Sequence, residues 1–517
     1  NAHPHFDCHE DIVIAHNGII DNFKELKKKL KGHVFRSETD SEVLAHLIEH
    51  HYKGNLRQAV TSALQHVRGT YGIVVLHRKE PNMLIAARMG SPLVIGLGQD
   101  EYYIASDASP MLAYTKRVTF LDDGEIAEVT REHVQTFNLK DEAVVKHVEE
   151  IEWKDEEAQK GGFAHFMIKE IFDQPASFED AIRGRVNVEE GTAHLGGINL
   201  TDDQMRSIER IVLIACGTAS YAAMIGKYAF ERLVDIPVEV DVGSEFRYRD
   251  PIITEKTLVF AISQSGETQD TLAALREAKR KGAIVRGIVN VVGSTIARET
   301  DGGTYIHAGP ELSVASTKAF TNMVAILMLY ALEFGRLKRI PIGAGKKLIQ
   351  DLQELPGKMK IIFEQNDRIA EIAKKYSGVK NMLFLGRGIN YPAALEGSQK
   401  LKEISYIHSE AYPAGEMKHG ANALLAPDFP VLAIMPNNSL YEKMWSNIEE
   451  VRARNAPLII VATVGDKKVQ ELTEDILWIP PTTGLLEPLL ATIPLQLFAY
   501  HMAVVLGRDV DRPRNLA

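Results

Sequence analysis

Two cysteines in 517 residues, Cys8 and Cys216, are too few for a disulfide framework and give no zinc cluster built on cysteine spacing. A reducing, cytoplasmic setting is the default that follows. No unbroken apolar run approaches the ~18–20 residues that cross a bilayer, and no charged-then-apolar leader opens the chain, so no membrane partner is expected. Basic residues do not dominate: 59 Lys and Arg against 69 Asp and Glu give a net charge of −10. That balance argues against nucleic acid as a partner but leaves room for a local phosphate pocket. There is no G-x-x-x-x-G-K-[ST] loop for a nucleotide, no helix-turn-helix and no basic stripe. An initiating methionine is also missing. The chain opens on NAHPHFD and stops after DVDRPRNLA, and both ends are expected to be truncated relative to the gene product.

What is present is a globular composition, 45% hydrophobic and 25% charged. The length exceeds the ~250–300 residues at which single cores stop growing, so two to four domains are expected. Residues 1–150 carry short alternating strands such as DIVIAHNGII and GTYGIVVLHR, with only one or two helices, notably around SEVLAHLIEHHY. Such runs predict a sheet-rich α+β domain. A charged stretch ending in Gly161-Gly162 opens a linker over 151–204. From about Met205 strands and helices alternate, as in parallel βαβ units.

This last region reads as a duplication. IVLIACGTASYAAMIGKY from Ile211 matches MLFLGRGINYPAALEGSQK from Met382, LVFAISQ from Leu258 matches PVLAIMP from Pro430, and GAIVRGIV from Gly282 matches NAPLIIVA from Asn455. Three strands recurring in order at a near-constant offset predict two doubly wound domains, 205–345 and 360–510, with 511–517 beginning a C-terminal tail.

Three residue groups carry candidate chemistry. Cys216-Gly217-Thr218, Ser263–Thr268 and Ser313–Lys318 each follow a predicted strand. Open α/β sheets bind ligands at those ends, where free helix amides and hydroxyls suit a phosphate dianion and Gly266 lets the backbone approach. Ordinary helix capping also favours Ser and Thr there, but three such loops on successive strands favour phosphate binding. In ALEGSQKLKEISYIHSEAYPAGEMKHG, Glu396, Lys400 and Glu403 share one helix face, with His419 in a glycine-flanked loop. They suit proton transfer on a sugar phosphate, and equally a plain surface ion pair. Asn17-Gly18, ending the strand DIVIA, could offer an amide and an N–H to an oxyanion, or simply form a hairpin turn.

Taken together, NAHPH, HNGIIDN, SETDSEV, GSPLVIGLG, CGTASY, SEFRYR, SQSGETQDT, VASTKAF, LGRG, LKEISYIH, GEMKHG and DVDRPRNLA resemble the glutamine–fructose-6-phosphate aminotransferase (isomerizing) family across essentially the whole chain. The resemblance implies an N-terminal αββα sandwich of the N-terminal-nucleophile type, acting as glutaminase, followed by two sugar-isomerase domains. FMIKEIFDQP resembles the family's linker. The implied activity converts fructose 6-phosphate and glutamine to glucosamine 6-phosphate and glutamate, entering amino-sugar (hexosamine/UDP-N-acetylglucosamine) biosynthesis, with no metal and no organic cofactor. It implies that Asn17 and Gly18 form an oxyanion hole and that Asp40 holds the α-ammonium of glutamine. Gly217, Thr218, Ser263, Gln264, Ser265, Thr268, Val314 and Ser316 would bind the sugar phosphate. Glu403 would move the proton between C1 and C2 of the imine beside Lys400, and Cys216 would be a small residue near the ligand. His419 would help open the sugar ring from a neighbouring subunit, which implies a homodimer. The family's nucleophilic cysteine precedes NAHPH, so Cys8 is not it, and its Schiff-base lysine follows RPRNLA; both lie outside these 517 residues.

Overall fold

A computed structural model describes residues 3–111, 114–151 and 159–516. Residues 152–158 of the expected linker, and the outermost residues Asn1, Ala2 and Ala517, lie outside the described residues. Two compact units result: one holds the residues up to 151 with Val292–Thr295, the other Gln159–Val291 and Ile296 onward.

In the first unit, a seven-stranded sheet runs His5–Phe6, Ile12–Ile20, Gly69–His77, Met83–Met89, Glu125–Thr130, Val134–Asn138 and Ala143–Val144, each pair antiparallel. Alternation along Ile12–Ile20 sends Ile12, Ile14 and Ile20 to one face, where Val43, Leu44 and Ile48 of the helix Asp40–His51 cover them. The other face packs Ala86, Ala127 and Val129 against Ile95 of a second, four-stranded antiparallel sheet and against Leu93 and Leu121, which flank two of its strands. Helix, sheet and sheet therefore stack as three of the four layers of the expected αββα sandwich; among the described residues of this unit no α-helix covers the outer face of the second sheet. Among the described residues of this unit three α-helices form where one or two are expected, the additional ones, Phe23–Lys29 and Leu56–Leu64, being only seven and nine residues long.

The second unit contains two five-stranded parallel sheets. The first runs Val238–Val242, Arg210–Ala215, Thr257–Ser263, Ile284–Val289, Gly303–Tyr305; the second runs His408–Pro413, Asn381–Gly386, Val431–Met435, Leu458–Thr463, Ile476–Ile479. In chain order both read 2-1-3-4-5, so the repeated strands found in the sequence also occupy equivalent places in their sheets. The central strands bury both faces. Leu258, Phe260 and Ile262 meet Phe230 and Tyr330 on one side, while Val259 and Ala261 meet Leu272 and Leu275 on the other. This explains runs that are apolar without alternation.

Among the described residues two helices, Lys318–Lys338 and Glu487–Val505, are long and apolar enough to cross a membrane by length and composition, contrary to the absence of such runs expected above. Both close their respective halves and are mostly buried. They are apolar all round because neighbours surround them.

The helix Phe166–Ile182, from the segment expected as a linker, is also interior and carries Pro175. Proline has no N–H for the Ile171 carbonyl; the Gln174 side-chain amide donates to that oxygen instead, at 3.0 Å. The helix N-terminus is held from 345 residues away, where both Asp511 oxygens accept from the backbone amides of Phe166 and Met167 at 2.9 Å. Asp511→Ala is expected to destabilise the second unit by about 1–2 kcal/mol, as loss of a charged helix cap does. An unchanged urea midpoint would show that water replaces the cap.

Candidate functional site

In a parallel sheet ordered 2-1-3-4-5, the first and third strands send their chains to opposite faces, leaving a crevice at their carboxyl ends. In the first sheet that crevice lies between Ala215 and Ser263, and the expected hydroxyl loops border it. Gly217 has φ of +54° and precedes the helix Thr218–Val234. The helix thus starts with no side-chain cap, its first amides free of one.

The Ser263–Thr268 loop is not a simple cap either. Thr268 precedes the helix Gln269–Arg280 but makes no capping bond with its side chain. Its hydroxyl meets the Ser263 hydroxyl at 2.8 Å, and Ser263 Oγ accepts from the Gly266 amide at 3.0 Å. Gly266 sits at φ +69°, which turns the loop back on itself. Ser265 Oγ accepts from the Glu267 amide at 3.2 Å, and Gln264, Ser265 and Thr268 remain half-buried rather than sealed in. Cys216 Sγ lies 3.6 Å from the Thr271 hydroxyl, at the foot of the same crevice.

The Ser313–Lys318 loop is braced by two carboxylates that sequence patterns do not single out. Glu311 accepts from the Ser316 hydroxyl (2.8 Å) and the Thr317 amide (2.8 Å), and Glu170 accepts from the amides of Leu312 and Ser313. Burial, then the neighbouring Glu311 charge, pushes the Glu170 carboxyl well above the usual range. Val314 is exposed at the apex of this loop.

The second half contributes through the helix Asn390–Ser405, which packs on the helix Thr218–Val234. Glu396, Lys400 and Glu403 share a face as the spacing predicts, but that face is interior, so the surface ion-pair alternative falls. Lys400 is 1% exposed, and its Nζ lies 2.8 Å from Glu403 Oε2, 3.5 Å from Glu396 Oε1 and 3.0 Å from Thr218 Oγ1. Burial alone would neutralise this amine; the charges of Glu396 and Glu403 outweigh it and hold it as an ammonium. Burial pushes the Glu396 carboxyl up to about 7. Glu403 remains partly accessible, with its second oxygen accepting from the Gln399 amide at 2.7 Å. A residue of one half therefore ends on the helix start of the other.

The equivalent crevice of the second half is an open cavity of about 470 Å³, and a carboxylate of the chain lines it. Buried Glu487 accepts from Asn390 Nδ2 at 2.8 Å and Asn438 Nδ2 at 2.6 Å, from the ends of that sheet's first and third strands. Burial raises its carboxyl, and the two amides oppose the rise.

His419 does not join this cluster. It ends an exposed 3-10 turn, Ala414–His419, and no contact ties it to Lys400 or Glu403 among the described residues.

In the first unit, Asn17-Gly18 is not a hairpin turn. Both lie inside the strand Ile12–Ile20, paired with Gly72 and Tyr71. Gly18 takes φ of +140°, and a Cβ there would collide with the Thr70 carbonyl. Asp40, the first residue of its helix, accepts from the Ile20 amide at 2.7 Å, so all three predicted residues converge on the end of one strand. Glu42 anchors the loop before Asp40 by accepting from the amides of Arg36 and Ser37, at 2.6 and 2.7 Å. Buried His16 meets Ser41 Oγ at 2.8 Å; neither Glu42 nor His16 stands out by motif chemistry.

An antiparallel sandwich with a strained Asn-Gly strand, joined to paired parallel sheets with a hydroxyl-lined crevice, defines a glutamine amidotransferase coupled to sugar-isomerase (SIS) domains. Family models agree: the SIS domain matches residues 204–333 and 375–506, and the glutamine amidotransferase domain matches residues 1–113. Proteins named glutamine–fructose-6-phosphate aminotransferase (isomerizing) are similar over 100% of this chain and 85% of their own length, at 52% identity in Chlorobaculum tepidum and 50% in a strain of Thermus thermophilus. The solved C-terminal domain of glucosamine-fructose-6-phosphate aminotransferase from Francisella tularensis matches 69% of this chain and 100% of its own, at 37% identity and a TM-score of 0.65. The chain belongs to the glutamine–fructose-6-phosphate aminotransferase (isomerizing) family.

Proposed function

We propose that the protein transfers the amide nitrogen of glutamine to fructose 6-phosphate and isomerises the product to glucosamine 6-phosphate. The observation that carries this is Lys400: a buried ammonium from the second half reaches Thr218 at the first half's crevice, with Glu403 beside it. The phosphate would sit on the amides and hydroxyls of Gly217, Thr218, Ser263, Gln264, Ser265 and Thr268, with Val314 and Ser316 closing the pocket. The second crevice repels such a dianion, since Glu487 already takes its donors. One phosphate per chain follows.

Glu403 is placed to take a proton from C1 of the C2 imine and return it to C2; the imine nitrogen gains one proton and the C1 hydroxyl gives one up, leaving an aldehyde at C1 and an amine on C2. Lys400 stays protonated in both steps and offsets the charge that develops on the sugar oxygens. In the first unit, the Asn17 amide and Gly18 N–H would stabilise the oxyanion of glutamine hydrolysis, and Asp40 would take its ammonium. His419, exposed and apart from Glu403, fits a role in a partner's site, which makes a homodimer part of this proposal. The two free thiols fit a cytoplasmic setting.

Ser265→Ala should weaken fructose 6-phosphate binding about 10- to 150-fold, the worth of one hydrogen bond to a charged group, and leave glutamine hydrolysis intact. Isothermal titration and a glutaminase assay measure the two separately. Equal loss of both would mark the loop as structural. Glutamine serving no better than ammonium in protein that includes the residues flanking these 517 would instead indicate an isomerase with an idle amidotransferase unit.

A further inference from the structure

In the first unit, four side chains point their donor atoms at one spot. Cys8 comes from the hairpin between the strands His5–Phe6 and Ile12–Ile20, His33 from the segment after the first helix, and His46 and Glu49 from one face of the helix Asp40–His51. Cys8 Sγ lies 3.5 Å from His33 Nδ1 and 3.4 Å from His46 Nδ1. The two Nδ1 atoms are 3.4 Å apart. Glu49 Oε2 is 3.0 Å from His33 Nδ1 and 3.4 Å from His46 Nδ1. All four donor atoms lie within 4.8 Å of one another.

Pairwise hydrogen bonding does not explain such an arrangement. Each ring nitrogen faces three other heteroatoms at nearly equal distance, whereas an N–H points at one acceptor. A tetrahedral zinc ion explains it directly. Zn–S of ~2.3 Å and Zn–N or Zn–O of ~2.0–2.1 Å give donor–donor edges of roughly 3.3–3.6 Å, close to the five distances above. We propose that Cys8, His33, His46 and Glu49 form a structural site for a divalent cation of borderline softness, zinc foremost.

Donor chemistry and charge agree. One thiolate, two imidazoles and one carboxylate are a nitrogen–sulfur-rich set that suits zinc over magnesium or calcium. A divalent cation against one thiolate and one carboxylate leaves no net charge in a largely buried spot. Surrounding groups are arranged as ligand supports. Val34 N–H donates to Cys8 Sγ at 3.4 Å, and Cys8 N–H donates to Glu49 Oε2 at 3.2 Å. His9 Nδ1 meets the other Glu49 oxygen at 2.7 Å. Behind His46, Glu42 Oε1 lies 3.6 Å from Nε2, a carboxylate near the far nitrogen without a hydrogen bond to it. With four protein donors the site is closed, so its role is mechanical. The cation would tie the hairpin, the connector and the helix whose first residue is Asp40, and so hold the proposed glutamine pocket in shape.

The test uses the full chain as purified and after removal of metal by a chelator. Elemental analysis should find about one zinc per chain, and chelation should lower the melting temperature. Cobalt(II) added to the stripped protein should give the intense visible bands of a tetrahedral ion and a thiolate-to-cobalt charge-transfer band. That band should vanish in Cys8→Ser, and His33→Ala should bind cobalt at least ~10-fold more weakly, with circular dichroism confirming that each variant folds. Weak octahedral cobalt bands, no stoichiometric uptake, or a charge-transfer band that survives in Cys8→Ser would each overturn the proposal. The unsubstituted protein decides the matter alone should a variant fail to fold.

Discussion

Glu403→Gln is expected to cut glucosamine 6-phosphate formation by about 100- to 10,000-fold, the usual worth of a positioned general base. Glutamine hydrolysis and the affinity for fructose 6-phosphate should stay within a few-fold of the parent. The substitution keeps shape and removes only the group that carries the proton, while Lys400 retains Glu396 as its counter-charge 3.5 Å away. Tritium or deuterium exchange at C1 of the substrate should stop as well, which separates proton transfer from nitrogen transfer. A variant that still exchanges the C1 proton at the parent rate would remove Glu403 from its proposed role.

Gly18→Ala should damage the other unit. The residue must abandon φ of +140° or push its methyl into the Thr70 carbonyl, in the middle of a paired strand. Strain and overpacking of this kind each cost about 1–3 kcal/mol. The first unit should melt earlier, and glutamine hydrolysis should be lost. Fructose 6-phosphate binding, housed in the second unit, should persist. Titration of the sugar phosphate into the variant checks this, and loss of that binding too would mean the glycine serves the fold of the whole chain.

These outcomes rest on features legible to different degrees. Fully apolar strands such as Leu258–Ile262, repeated at near-constant spacing, announced parallel sheets and a duplication, because a strand buried on both faces cannot alternate. The hydroxyl loops were visible for a related reason: a ligand crevice in such a sheet always falls at strand carboxyl ends. The Asn17-Gly18 pair was ambiguous from local chemistry. Hairpin turns favour the same dipeptide, and only the pairing with Tyr71 and Gly72 excludes that alternative.

Helix spacing placed Glu396, Lys400 and Glu403 on one face but was silent on which way the face turns. Burial of Lys400 against Thr218, 182 residues earlier, is a property of how two helices pack. The same holds for Glu487 lining the second crevice, and for Glu170 and Glu311 bracing a loop. The four converging donors were hidden most thoroughly. Cysteine count argued against a zinc cluster, yet Cys8, His33, His46 and Glu49 have no recognisable ligand spacing because three separate segments supply them. Fold class, duplication, family and the position of the hydroxyl loops could all be read along the chain, since each rests on periodicity, motif or the recurrence of short motifs in order. Which crevice holds a carboxylate, which lysine is buried and which side chains meet became visible only once the chain was folded, because those depend on contacts between segments far apart in it.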